Sequence, residues 1–170
     1  MVPTRMTDPT VQPHGSGRTA RLDLSRPDIG FCAAHFSVIE GKLERLHGHN
    51  YRVSIRAWGA VGADGTMVDF GALKDALRAE CAELDERMLL PGESDTVSLH
   101  VDGDSVEARA GARRYLFPRD DVRILPVPNT TCECLAAHLL ACTRTRLAEL
   151  PVHLEITVEE LPGQGATLGE

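Results

Sequence analysis

Two histidines separated by one glycine, His47-Gly48-His49, are the strongest chemical signal in this sequence. They lie in a segment, residues 46–59, in which apolar and polar residues alternate as in a β-strand. Side chains two positions apart in a strand point to the same face, so both imidazoles project together. His35 lies in an earlier segment of the same kind and reaches that face if the two strands are neighbours. Three imidazoles bind Zn²⁺ and leave its fourth position open, as in catalytic zinc sites.

A zinc ion held in this way would polarise a hydroxyl or carbonyl group of a substrate. The spacing alone leaves two interpretations open, because H-x-H also occurs by chance in strands that bind no metal. The remaining histidines are predicted not to be ligands, since they lie in the N-terminal segment, a hairpin, a helix and the polar side of a strand: His14, His100, His138 and His153.

The elements that must position the three histidines follow from hydrophobic periodicity. One helix is predicted from Asp69 to about Leu84 and a second from about Cys132 to Leu150, with a capping box formed by Thr130 and Glu133. Strands are predicted at residues 21–38, 46–59, 122–127 and 152–160, and a hairpin at 97–110. The order predicts an α+β fold with two helices on one face of an antiparallel sheet.

Composition limits the classes of function. The chain has 170 residues and a net charge of −7, which suits one domain and argues against nucleic-acid binding. We expect no membrane span and no signal peptide. Five cysteines without framework spacing indicate reduced thiols in a cytoplasmic protein. Residues 1–19 are predicted to be a disordered tail, and residues 20–170 a single domain with an inserted hairpin at about 95–118.

Six motifs in order resemble the 6-pyruvoyl-tetrahydropterin synthase and 6-carboxy-tetrahydropterin synthase family, over residues 28–162. They are F-C-A-A-H at 31–35, L-H-G-H-N-Y at 46–51, V-D-F-G-x-L-K at 68–74, L-D at 84–85, N-T-T-x-E at 129–133 and V-E-E at 158–160. Residues 114–131 further resemble an archaeal-type branch that carries an extra hairpin. The resemblance implies the tunnelling fold (T-fold), an oligomeric barrel that is usually a hexamer of two trimers, with active sites between subunits.

The resemblance also implies the roles of individual residues. It implies zinc on the three histidines named above and a small-molecule dihydropterin as substrate. Glu159 would anchor the pterin ring, because a carboxylate can accept two parallel hydrogen bonds from the amino group and a neighbouring N–H. Thr131 and Glu133 would lie beside the pterin, and capping of the second helix is compatible with that role.

The sequence departs from the family at two catalytic positions. The family usually carries a cysteine four residues before the first histidine of H-G-H, where this chain has Leu43. Its relay histidine after the aspartate of L-D is Glu86 here, although Asp85 is retained. Glu44 resembles a glutamate of a sub-branch in which it replaces or accompanies the cysteine. We therefore expect Glu44, with Asp85 and Glu86, to supply the catalytic groups.

Three hypotheses about function follow. The first is cleavage of the side chain of 7,8-dihydroneopterin or its phosphate to 6-hydroxymethyl-7,8-dihydropterin, as that sub-branch implies. The second is a 6-pyruvoyl- or 6-carboxy-tetrahydropterin synthase, and the third is a zinc- and pterin-binding protein without catalysis. Phosphate contacts are considered for Lys42, Arg45 and Arg87, although such residues are more often solvated surface charges.

Overall fold

The computed structural model describes residues 17–170 and contains eleven strands and two α-helices in this part of the chain. The strands are β1 (Thr19–His35), β2 (Val38–Ile39), β3 (Lys42–Leu43), β4 (His47–Ala60), β5 (Arg87–Pro91), β6 (Ser98–Asp102), β7 (Ser105–Ala110), β8 (Arg113–Pro118), β9 (Val122–Leu125), β10 (Val152–Leu161) and β11 (Gln164–Gly169). The helices are α1 (Phe70–Leu84) and α2 (Cys132–Arg146). Most of the predicted tail lies outside the described residues, and Thr19 already belongs to β1.

The main sheet has the strand order β11-β10-β4-β1-β5-β9. Strands β10, β4 and β1 are antiparallel, as predicted, and β11, which was not predicted, pairs antiparallel with β10. However, β5 pairs in parallel with β1, and β9 pairs in parallel with β5, so the sheet is mixed. Strand β5 was not predicted because its run Met88-Leu89-Leu90 has no alternation and directly follows the apolar pattern of α1.

Both helices pack on one face of this sheet, as the sequence predicts. α1 buries Leu73 and Leu77 against the sheet, and α2 buries Leu135 and Leu139. The sheet contributes every second residue of its central strands to this core, among them Phe31, Tyr51, Val53, Ile55, Leu154, Ile156 and Val158. The opposite face of β1, β4 and β10 carries mostly polar side chains, which follows from the two-residue period of a strand.

The predicted inserted hairpin is a three-stranded sheet with the order β6-β7-β8. The turn at Asp102-Gly103 is present, with Gly103 at φ +52°, and β8 adds a third strand that was not predicted. Val106, Ala108 and Ala110 of β7 are buried in a second core with Phe36 and Met88. The insertion is therefore packed onto the domain rather than projecting from it.

The N-terminal caps of the two helices can be compared with their predicted positions. Asp69 caps α1, since its side chain accepts a hydrogen bond from the Gly71 amide at 2.9 Å. At α2, however, the N-cap is Thr131, one residue later than predicted, and Thr130 instead donates its hydroxyl to the Phe36 carbonyl. In residues 17–170, neither helix is long and apolar enough to cross a membrane.

Candidate active site

The structure brings His35, His47 and His49 together at one end of the β1–β4 pair. Their register is antiparallel, with His35 opposite His47 and Ala33 opposite His49, so the three imidazoles share a face. One ring nitrogen of each histidine lies within 4.8 Å of the corresponding nitrogens of the other two. This is the only group of three or more such side chains at that spacing in residues 17–170.

Backbone carbonyl groups orient two of these imidazoles. His35 donates its Nδ1–H to the carbonyl oxygen of Thr130 at 2.9 Å, and His47 donates its Nδ1–H to that of Arg45 at 2.7 Å. Because a carbonyl only accepts, each Nε2 atom is left with a free lone pair. Such carbonyl contacts commonly fix the ring orientation of metal-binding histidines.

The ring nitrogens of the three histidines are suited to hold a zinc ion. The Nε2 atoms of His35 and His49 are buried and have no hydrogen-bond partner within residues 17–170. Burial also lowers the pKa of His35, which keeps its imidazole neutral, the form that binds metal. A shared cation would satisfy these converging ring nitrogens, and three imidazoles are a ligand set that suits Zn²⁺.

A cavity of about 260 Å³ opens beside the histidines. It is lined by side chains from the loop after β1, from the start of α2 and from the β10–β11 turn: His35, Ser37, Ile39, Glu44, Thr131, Cys132, Glu133, Glu160, Gln164 and Gly165. Three of the predicted site residues, Glu44, Thr131 and Glu133, therefore line one pocket with His35.

Glu160, rather than the predicted Glu159, lies at this pocket. The Oε2 atom of Glu160 lies 3.8 Å from Nε2 of His49, whereas Glu159 accepts a hydrogen bond from the Gly163 amide at 3.1 Å. The alternation of β10 could have indicated this, because Ile156 and Val158 face the core and Glu160 continues their parity. The structure thus brings Glu160 to the cavity, and the anchoring role expected of Glu159 stays a prediction.

Cys132 is a second pocket residue that the sequence did not indicate. Its thiol lies 3.7 Å from Oε2 of Glu160 and donates a hydrogen bond to that carboxylate. Burial and the nearby negative charge of Glu160 raise the pKa of Cys132 to about 12. The thiol is therefore protonated at neutral pH and is no substitute for the family cysteine that Leu43 replaces.

Asp85 and Glu86 do not reach this pocket within one chain. Asp85 accepts a hydrogen bond from the Cys32 amide at 2.7 Å, and the Glu86 amide donates to the Cys32 carbonyl at the same distance. The side chain of Cys32 has the parity opposite to that of His35. Glu86 lines a separate depression with Ala34 and Gly48 on that other face.

The basic residues considered for phosphate contacts are also separated. Lys42 and Arg45 are exposed residues that flank Glu44 in its loop. Arg87 instead lies in a different cleft with Arg119 and Arg123, where it donates to the Asp120 carbonyl. Arg87 therefore lies outside the cavity beside His35.

Residues 26–170 match the family model described as 6-pyruvoyl tetrahydropterin synthase. The chain belongs to this family. A protein of Methanocaldococcus jannaschii, provisionally named 6-carboxy-5,6,7,8-tetrahydropterin synthase, is 30% identical over 143 residues, which cover 81% of this chain and 88% of that protein. The Plasmodium falciparum 6-pyruvoyl tetrahydropterin synthase structure has a TM-score of 0.84 at 30% identity, covering 89% of this chain and 98% of that chain.

A Plasmodium vivax 6-pyruvoyltetrahydropterin synthase is similar to the same extent. One of its structures, described as a catalytic-residue mutant in which glutamate is replaced by alanine, has a TM-score of 0.86 at 32% identity and covers 90% of this chain and 98% of its own. Membership of the 6-pyruvoyl tetrahydropterin synthase family makes this chain a pterin-processing enzyme with the T-fold.

Proposed function

We propose that the chain is a zinc-dependent lyase that acts on the side chain of 7,8-dihydroneopterin or its phosphate, with Glu44 as the base. The observation that carries this proposal is the position of Glu44 in the same cavity as His35. The carboxylate accepts no hydrogen bond within residues 17–170, so it is free to take a proton from a ligand.

Each residue of the pocket has a separate role in this proposal. A zinc ion held by the three histidines would lower the pKa of a hydroxyl group that it binds. Glu44 would accept a proton from a side-chain hydroxyl of the substrate, and general-base catalysis contributes about 10²–10⁴-fold to such a step. Glu160 would take the anchoring role expected of Glu159, accepting two N–H groups of the pterin. Thr131 lies beside it at the start of α2.

The first candidate reaction is that of a 6-carboxy- or 6-pyruvoyl-tetrahydropterin synthase. It is favoured by the similar proteins, which are named as 6-carboxy- or 6-pyruvoyl-tetrahydropterin synthases and are matched over most of their lengths. In this candidate, Glu44 performs the proton transfers for which the family usually carries a cysteine. The protonated thiol of Cys132 would not contribute a base.

The second candidate is the cleavage reaction expected from the sequence, and the loop residues favour it. Position 43 carries leucine and the adjacent Glu44 lies in the pocket, while the P. vivax enzyme is described with a catalytic glutamate. Glu44 would take the proton of the C2′ hydroxyl, and the C1′–C2′ bond would break as C2′ becomes an aldehyde. The electron pair passes to the dihydropterin ring, and C1′ then gains a proton to give 6-hydroxymethyl-7,8-dihydropterin.

Assembly is part of the same proposal. The resemblance implies a hexamer of two trimers with sites between subunits. In such an assembly, Asp85 and Glu86 would serve the pocket of a neighbouring copy, since neither lines the cavity of its own chain and Glu86 lies on the other face of the sheet. Their contribution is tested by mixing inactive variants: Asp85→Asn and Glu44→Gln chains should regain activity together only if one site uses two copies.

A product assay tests the function. The zinc-loaded protein is incubated with 7,8-dihydroneopterin, its monophosphate and its triphosphate, and the oxidised pterins are separated by their fluorescence. A carboxy or pyruvoyl product supports the synthase, and 6-hydroxymethylpterin supports cleavage. Absence of any product, with pterin still bound, would contradict both reactions and leave a zinc- and pterin-binding protein.

A further inference from the structure

The loop that carries Glu44 is a short hairpin between β1 and β4. Strands β2 and β3 pair Val38 with Leu43, and the turn between them has Glu40 at φ +50° and Gly41 at φ +74°. Two residue pairs are few for an isolated hairpin, which is marginally stable at best. The position of Glu44 must therefore depend on what the loop packs against.

One side of the loop is held by the segment before α2. Asn129 accepts a hydrogen bond from the Val38 amide at 3.1 Å and donates its own amide to the Val38 carbonyl at 2.8 Å. Thr130 donates its hydroxyl to the Phe36 carbonyl at 2.8 Å. These contacts fix the start of the loop but lie before Glu44.

The other side is held by the inserted sheet. Arg113, the first residue of β8, donates from Nη1 to the carbonyl oxygen of Glu44 at 2.6 Å. Tyr115, two residues later on the same strand, stacks on Phe36 with ring centroids 5.2 Å apart. Leu43 packs on the same apolar cluster as Tyr115. The backbone of Glu44 is thus bound at both ends, because its amide also donates to the Ser37 carbonyl at 2.9 Å.

We propose that the inserted sheet β6-β7-β8 is a clamp on the Glu44 loop and that Arg113 is the positioning residue of this base. The inference rests on the proposed role of Glu44. Arg113 acts through the Glu44 backbone and does not line the cavity, so it is not a catalytic residue. A guanidinium suits this task because its planar fork aims a hydrogen bond rigidly, whereas a lysine ammonium rotates freely.

The neighbouring Arg114 offers a matched control. It lies on the same strand, is equally exposed, and forms its ion pair with Glu107 inside the inserted sheet. Arg113→Ala and Arg114→Ala therefore remove the same side chain from the same strand, but only the first removes a contact to the loop. Arg113→Lys keeps the charge with a poorer hydrogen-bond geometry.

The experiment measures kcat, KM, bound zinc, and amide hydrogen exchange of the peptide covering residues 37–46. Displacement of a reacting group by about 1 Å can cost about 10²-fold in rate, so we expect Arg113→Ala to lower kcat by about 10-fold or more. KM and zinc content should stay within about twofold of the parent values, Arg113→Lys should be intermediate, and Arg114→Ala should match the parent. Exchange in residues 37–46 should become faster only in the Arg113 variants.

Equal kcat and equal exchange in Arg113→Ala and Arg114→Ala would overturn the inference. Loss of zinc or of general stability in Arg113→Ala, in parallel with kcat, would overturn it as well, since the residue would then support the fold rather than the loop. If the parent protein shows no turnover, the proposed function fails. Faster exchange in the Arg113 variants alone would still support the clamp in that case.

Discussion

The carbonyl oxygen of Thr130 lies 2.9 Å from Nδ1 of His35 and accepts a hydrogen bond from its N–H. Thr130 is fully buried and its hydroxyl donates to Phe36, the residue that follows His35. The segment before α2 therefore fixes both the ring orientation of His35 and the start of the Glu44 loop. One buried threonine thus links the metal centre to the loop of the proposed base.

The three-histidine site predicts the metal content of single variants. We expect His47→Ala to lose most of its zinc, because only two imidazoles would remain of the three that a catalytic zinc site needs. Zinc is measured by mass spectrometry of the protein after gel filtration. His153→Ala is the control, since His153 is exposed and stacks on Trp58 far along the sheet. Full zinc content in His47→Ala would remove His47 from the ligand set.

Glu44→Gln should separate catalysis from binding. The amide keeps the size of the side chain but cannot act as a base, so kcat should fall by about 10²–10⁴-fold. Zinc content and pterin affinity should be unchanged, as judged by mass spectrometry and by fluorescence titration with a pterin. Glu40→Gln, an exposed glutamate in the turn of the same loop, serves as the control. Unchanged turnover in Glu44→Gln would exclude Glu44 as the base.

Glu160 and Glu159 form a natural pair for testing pterin recognition. Hydrogen bonds to a charged group contribute about 1.5–3 kcal/mol, so Glu160→Gln should weaken pterin binding by about 10–100-fold. Glu159→Gln should change the affinity by less than about twofold, because Glu159 contacts the Gly163 amide instead. Isothermal titration with a pterin measures both variants. A larger loss of affinity in Glu159→Gln than in Glu160→Gln would show that Glu159 is the anchor.

The two-residue period of the strands made part of this site predictable from the sequence. β1 and β4 are long and alternate clearly, so the common face of His35, His47 and His49 could be inferred before the structure. Glu160 was missed because the prediction followed a motif. Glu160 lies two residues after the buried Val158, so strand alternation alone would have placed it on the same face. The carboxylate of Glu44 could be placed near the metal only through the resemblance.

The elements that were missed depend on tertiary contacts. The apolar run of β5 is compatible with a helix end or a buried strand, and its parallel pairing with β1 decides between them. Three of the six residues of β11 are glycine or alanine, so its sequence carries little strand pattern. The strand is defined by its pairing with β10. The positions of Asp85 and Glu86 outside the pocket could not be inferred from the sequence either. They depend on where the chain meets β1 after the end of α1.

The irregular part of β1 predicts an acid-sensitive contact. Asp28 lies where the register of β1 shifts between Ser25 and Gly30, and its carboxylate accepts hydrogen bonds from Arg26 and from Arg78 of α1. These two arginines lower the pKa of Asp28 to about 2. A carboxyl whose pKa is lower in the folded state stabilises the fold above its unfolded pKa, and this contribution disappears as the pH falls towards the folded value.

We therefore expect Asp28→Asn to lower the free energy of unfolding at pH 7, and the difference from the parent protein to shrink between about pH 4 and pH 2. Urea unfolding followed by circular dichroism at several pH values measures it. Because the ion pairs are exposed, the difference at pH 7 should be small and should decrease in high salt. Asp75→Asn is the control, since Asp75 lies on α1 as Arg78 does and forms no ion pair in residues 17–170. A difference that stays constant from pH 7 to pH 2 would show that Asp28 stabilises β1 by packing or backbone geometry rather than by its charge.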